Sequence, residues 1–249
     1  MSGAIAIFLL TGLLGLGHHH LWWTPDAPRD PDALVLRFHF VPGMARSPAH
    51  LPAPQISLYG DGRLITTKTD LSQRPPRGVT RDQYLTRAAY ERFHRDARVA
   101  GLATAREHDP DEQVLDGGST VVTLLAGGRH RTTKISAGAG GPRVHLIDRL
   151  ADRLRAVPRE DLTRPTATYR PERIAAVTTR VSHPDGQVRP WPLSPLKEPC
   201  TLLTGQDAQR IAEVSTPPYT TWQSGPHHYS IFIRPLLPDE KTCPGRASP

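Results

Sequence analysis

QISLYGDGRLITT, residues 55–67, places two runs of β-favouring residues on either side of an Asp61-Gly62 step. That pair tolerates the positive φ angles of a tight turn, so the stretch predicts a β-hairpin. A hairpin pairs its strands antiparallel, which directs the reading away from βαβ crossovers and toward a sheet with helices on one side. Asp61 reads as a turn former that hydrogen-bonds its own backbone, not as a catalytic carboxylate.

The neighbouring segments extend the same pattern. LVLRFHFV, residues 34–41, alternates as a half-buried strand, with Leu34, Leu36, Phe38 and Phe40 on one face and Arg37 and His39 on the other. STVVTLLAGGRHRTTKIS, residues 119–136, predicts a second hairpin turning at Gly127-Gly128. A first helix is expected to start at Thr80, where Thr-x-x-Gln to Gln83 resembles a capping box, and to carry a stripe of Leu85, Ala89, Phe93 and Ala97. Gly101 ends it, with Leu102 packing back as the apolar partner of a glycine C-cap. A second helix enters at Pro142 and buries Val144, Ile147, Leu150, Ala151, Leu154 and Val157. The fold class expected is α+β: a mainly antiparallel sheet built from hairpins, with two amphipathic helices packed on one face.

Residues 163–171 are polar and carry two prolines, which suggests a seam. Beyond it RIAAVTTRV reads as a strand, QVRPWPLSPLKEP as extended chain and residues 204–214 as a short helix capped by Thr204 with Asp207. TPPYTTWQSGP reads as a loop and HYSIFIR as a last strand. Three parts result: a leader and proline-rich linker over residues 1–32, an α+β body over 33–162, and a C-terminal extension or subdomain over 163–249.

Cys200 and Cys243 are the two cysteines of the chain, both in its last fifth. They flank a stretch with modest apolar content, so a covalent tie between them has an evident use. Closing that loop restricts the unfolded chain by roughly 4 kcal/mol in the entropic account. The alternatives are a nucleophilic Cys200 with His227 or His228 as base, and a zinc site lacking any C-x-x-C spacing. Trp191, Tyr219 and Trp222, with His227 and His228, are the candidates for a binding surface, against the competing use of the tryptophans as plugs for a small core.

The 249 residues can bury a large core, although a hydrophobic share of 37% and 26 prolines call for long irregular segments. The formal charge of +7 comes mostly from arginine, with lysine confined to Lys68, Lys134, Lys197 and Lys241 and no asparagine at all. Codon composition accounts for that bias. The arginines are scattered among acids, with no run of five or more and no aromatic RNA-binding motif, so nucleic acid is not indicated as a partner. No G-x-S-x-G elbow, H-E-x-x-H helix, P-loop or dinucleotide fingerprint occurs. No cofactor is indicated, and three adjacent histidines, His18 to His20, cannot converge on one metal ion from a regular element. MSGAIAIFLLTGLLGLG fits a secretory apolar segment or an N-terminal membrane segment, which is the sole route to a membrane that the chain offers.

SLYGDGRLIT, STVVTLLAGGRHRT, CTLLTGQDAQRI and SIFIRPLLPDEKTC, in that order, resemble a group of uncharacterised exported proteins of high-GC Gram-positive, actinobacterial, origin. The likeness spans residues 33–243 and is strongest at LYGDGR, WPL and RPLLPDE. It implies secretion or lipid anchoring and paired cysteines, and it carries no activity; the lipid-attachment cysteine of the lipoprotein members is missing from this N-terminus. The function expected is a non-enzymatic binding or structural module of the cell envelope, with an envelope protein or polymer as partner. The rival readings are a secreted hydrolase and a histidine-dependent metal-binding protein.

Overall fold

The computed structural model of the chain describes residues 27–44, 52–70, 77–112, 114–184, 186–213 and 220–244. In chain order these form β1 (Leu34–Val41), β2 (Ile56–Tyr59), β3 (Arg63–Asp70), β4 (Arg77–Tyr84), α1 (Arg87–Val99), β5 (Arg106–His108), β6 (Ser119–Ala126) and β7 (Arg129–Ser136). There follow α2 (Pro142–Arg155), β8 (Ala167–Thr168), β9 (Arg173–Val181), β10 (Val188–Pro190), β11 (Cys200–Thr204), α3 (Gly205–Glu213), β12 (Thr221–Ser224) and β13 (His227–Pro235). The strands make two sheets, of order β5-β7-β6-β1-β2-β3-β4-β8 and β10-β12-β13-β9-β11. Only β5 with β7 and β10 with β12 pair in parallel; the remaining pairs are antiparallel, as the hairpin reading requires.

The hairpin that opened the sequence reading joins β2 to β3, with Leu58 opposite Leu64. Its turn is a three-residue loop: the Gly62 amide donates to the Tyr59 carbonyl at 3.0 Å, and Gly62 alone takes positive φ, at 83°. Asp61 stays out of the left-handed region and accepts the Arg63 amide at 2.8 Å. The second hairpin turns at Gly127 and Gly128, with φ 58° and 72°.

One core cluster fills the space between the first sheet and its helices. Leu36, Phe38, Ile56, Leu58, Leu64, Val122 and Leu124 come from the strands, and Ala89, Tyr90, Phe93, Val144, Ile147 and Leu154 from α1 and α2. Both helices lie on that face, as the periodicity demands. Val157 packs on the rim. The alternation expected in β1 fails at its start. A register irregularity between Leu34 and Leu36 turns both Val35 and Leu36 to the helix side and sends Leu34 to the opposite face.

The first helix does not start at Thr80. Residues 77–84 pair with β3 over eight positions, and the true N-cap is Thr86, whose hydroxyl accepts the Ala89 amide at 3.2 Å. Thr80 and Gln83 mimic a capping box, but a full strand partner for the backbone outweighs a local cap. Leu85 accordingly sits in a β-bridge to Leu162 and not in the helical stripe. The C-terminus follows expectation: the Leu102 amide reaches the Ala97 carbonyl at 3.1 Å and Gly101 reaches Arg98 at 2.9 Å, with Gly101 at φ 87° and Leu102 buried.

α1 also buries His94, whose Nε2 has no partner among the described residues. Burial, and then the charge of Arg98, hold this imidazole below its ordinary pKa of 6.5. A folded-state pKa below the unfolded one means that the contribution of the neutral ring is complete above about pH 6.5 and is lost as pH falls toward the folded value. His39 is shifted the same way, by burial and by Arg234 and Arg37. Denaturation midpoints are therefore expected to decline just below pH 6.5, and His94→Leu should flatten that decline; an unchanged slope in the variant would refute the assignment.

The second sheet carries α3 on one face, where Ile174, Ala176, Leu203, Ala208, Ile211 and Tyr229 form a separate core. The C-terminal part holds the two strands and short helix expected, as β9, β13 and α3, and further strands besides. Cys200–Thr204 pairs with β9, and TWQS, read as loop, is a strand that pairs with both β10 and β13. The expected seam contributes β8, which pairs with β4 on the edge of the first sheet.

Candidate functional site

Chain beyond β13 turns at residues 237–240 and runs back between the two sheets. Leu237 enters a cluster with Leu34, Tyr59, Ile65 and Tyr169 on the helix-free face of the first sheet. Leu236 joins Ala175, Val177, Cys200 and Cys243 on the second. Two consecutive acids then face opposite ways. Asp239 Oδ1 accepts from Arg37 Nη2 and from the Tyr59 hydroxyl, each at 2.7 Å, both on the first sheet. Glu240 accepts from Arg234 of the second sheet at 2.6 Å and from the Leu237 amide at 2.9 Å. Burial alone would raise the pKa of Asp239, but the Arg37 charge and the two hydrogen bonds outweigh it and hold the carboxyl below its usual range. The stretches LYGDGR and RPLLPDE, far apart in sequence, thus meet side chain to side chain.

The segment is held at its far end by the disulfide between Cys200 and Cys243, with S–S 2.08 Å and Cα atoms 6.2 Å apart. The expected pairing is therefore present, and it removes both the nucleophilic thiol and the cysteine-zinc alternatives. A bond of this kind persists in a non-reducing compartment. No described helix is long and apolar enough to cross a membrane; residues 1–26, with the apolar leader and His18 to His20, lie outside the described residues.

Beside this wedge lies a cleft of about 640 Å³ lined by Arg63, Asp82, Tyr84, Arg164, Thr168 and Arg170. An adjoining cleft of about 420 Å³ shares Arg63 and Arg170 and reaches Arg173 and the wedge residues 236–239. Strand geometry sets the arrangement: Arg63 leads β3 directly after the turn, opposite Tyr84 at the end of β4, and the seam places Arg164 before β8 and Arg170 after it. Arg63 donates twice to Asp82, at 3.0 and 2.8 Å, and its guanidinium lies 5.8 Å from the Tyr84 ring and 5.6 Å from Tyr169. Burial would lower the pKa of Arg63, but the hydrogen bonds and charge of Asp82 prevail and raise it. Arg164 stacks over Tyr84, its guanidinium carbon 3.4 Å from the ring centre. Burial pushes the Tyr169 hydroxyl well above its ordinary pKa, and it donates to the Leu236 carbonyl at 2.7 Å.

Charge in the larger cleft is unbalanced. Three arginines face one carboxylate, and Asp82 is already committed to Arg63. Arg173 donates to the Pro238 carbonyl at 2.9 Å, while its buried Nε has no partner among the described residues. Such a lining can hold an anion. The larger cleft is lined by no imidazole or thiol and its one carboxylate, Asp82, is paired with Arg63, whereas the adjoining cleft adds the carboxylates of Asp32 and Glu172.

The residues named from sequence as a binding surface lie elsewhere. Trp191 and Trp222 are buried in the core of the second sheet, edge to face with ring centres 5.4 Å apart, and the Trp191 indole donates to the Ser194 carbonyl at 3.1 Å. They are core, because the small sheet has little else of their volume to bury. His227 and His228 are half-buried neighbours on opposite faces of β13, and Arg180 reaches His227 Nδ1 at 2.6 Å. Tyr219 lies outside the described residues. No group of three or more metal-ligating side chains occurs among the described residues. Sequence reading missed Arg63, Tyr84, Arg164 and Arg170; the one local signal was an arginine closing the G-D-G turn. No protein-family model and no curated protein matches the chain.

Proposed function

We propose that the chain is an exported, extracytoplasmic binding module, without catalytic activity, that takes an anionic ligand in the arginine-lined cleft beside the joint of its two sheets. The observation that carries this reading is the cleft itself, where two guanidinium groups remain uncompensated after Arg63 has engaged Asp82. Arg164 and Arg170 are exposed and make no ion pair among the described residues, so an anion entering the cleft meets two free guanidinium groups. Export is supported by the disulfide and by the apolar N-terminal stretch, and the resemblance to exported actinobacterial proteins agrees with both. An envelope polymer or protein bearing acidic groups is the partner that this chemistry suits.

Two measurements test the reading. Residues 1–32 fused to alkaline phosphatase should give activity only outside the cytoplasm, and an inactive, cytoplasmic fusion would remove the export element. Purified oxidised protein titrated with anionic, neutral and cationic ligands should bind anions saturably without turning them over. Steady hydrolysis of an ester, amide or glycoside reporter would favour the secreted hydrolase instead.

A further inference from the structure

We infer that the ligand group seated in the larger cleft is a phosphoryl monoester, held between Arg164 and Arg170; the inference rests on the cleft being the ligand site. Stacking on Tyr84 fixes the Arg164 plane and leaves its in-plane donors unspent, since no hydrogen bond or ion pair to a protein acceptor is formed by it among the described residues. Arg170 on the same wall is equally unengaged. Arg63 cannot turn to the ligand without abandoning Asp82, so the excess is two cations and not three. A single carboxylate would neutralise one of them. A phosphoryl monoester brings nearly two negative charges at neutral pH and three strong acceptor oxygens, which matches an excess of two cations. Thr168 adds a hydroxyl donor on the lining.

The group could belong to a soluble phosphate ester or to a lipid headgroup, and the test separates them. Full-length oxidised protein is titrated with inorganic phosphate and glycerol 3-phosphate, with succinate as the carboxylate comparator, and is floated with phosphatidylcholine vesicles with and without phosphatidic acid. Saturable binding of the two soluble phosphates is expected, weakened about tenfold by Arg164→Gln or Arg170→Gln, the loss of one charge-assisted hydrogen-bonding group. Arg164→Gln/Arg170→Gln together should abolish it. Arg164→Lys, which keeps the charge but not the stacked fork, should fall between. Binding to phosphatidic acid vesicles that is lost in the double variant supports a lipid source, and binding confined to soluble esters supports a soluble one. Both arginines are exposed, so the variants should keep the wild-type melting curve. No saturable binding of the soluble phosphates at millimolar concentration together with no binding of phosphatidic acid vesicles, or equal binding by the double variant, overturns the inference. Succinate binding that depends on Arg164 and Arg170, without phosphate binding, also overturns it while leaving the cleft as an anion site.

Discussion

Breaking the Cys200–Cys243 bond is expected to lower the unfolding free energy by about 4 kcal/mol, the entropic value for a loop of this size; the two residues are 43 apart in sequence. The bond fastens the first residue of β11 to the end of the wedge, so the loop it closes holds β11, α3, β12 and β13. Reduced, the wedge keeps its non-covalent holds: the burial of Leu236 and Leu237, the ion pairs of Asp239 and Glu240, and the hydrogen bonds that Tyr169 and Arg173 donate to the Leu236 and Pro238 carbonyls. Since that segment is packed between both sheets, a loosened wedge should separate their unfolding, and one cooperative transition should become two. Denaturant curves of the protein with and without dithiothreitol test this, with Cys200→Ser and Cys243→Ser as controls for reductant access to a buried bond. Each serine variant should reproduce the reduced protein. Superimposable curves for oxidised and reduced protein would show that the bond contributes nothing to stability.

Asp239→Asn should cost about 3 kcal/mol, the lower end for breaking one partner of a buried pair, because the pair keeps some solvent contact. Side-chain exposure is 15% for Arg37 and 24% for Asp239. The substitution leaves Arg37 without its counter-charge and removes the charged acceptor shared by Tyr59. Arg37→Met alone should also destabilise, whereas the double variant should recover much of the loss, since no unpaired charge then remains. Additive single effects in that cycle would deny the coupling. The pH dependence has a definite sign. The folded pKa of Asp239 lies below its unfolded value of 3.8, so its contribution is whole above that value and is lost as pH falls through the folded one. The wild-type protein should therefore lose more stability on strong acidification than Asp239→Asn does.

Those two effects fall on contacts of very different legibility. The cysteine pair could be read directly, because the chain's two thiols flank a weakly cored stretch, where a covalent tie has an evident use. The Asp239 contact could not. Arg37 appears in sequence as the polar half of an alternating strand, and Asp239 as a turn residue after proline, 202 positions later. Nothing local joins them. The same holds for the cleft, where Arg63, Arg164 and Arg170 come from a turn and a seam about a hundred residues apart. Each is a common surface residue by itself, and only their convergence on one wall, with one committed carboxylate, gives them meaning.

Secondary structure divides along a similar line. Glycine turns, the α2 stripe and the glycine cap of α1 were determined by the sequence, because backbone φ and helical periodicity act over a few residues. The start of α1, the bulge in β1 and the short strands β11 and β12 were decided by tertiary structure. Each depends on a partner strand that supplies the backbone hydrogen bonds, and such a partner can outweigh a local cap or turn former. The two sheets follow from patterning within the chain. Their joining, with the acids of the wedge turned to opposite sides and the arginines left over beside it, arises only once distant segments are packed together, because charge balance belongs to a place in space and not to a stretch of sequence.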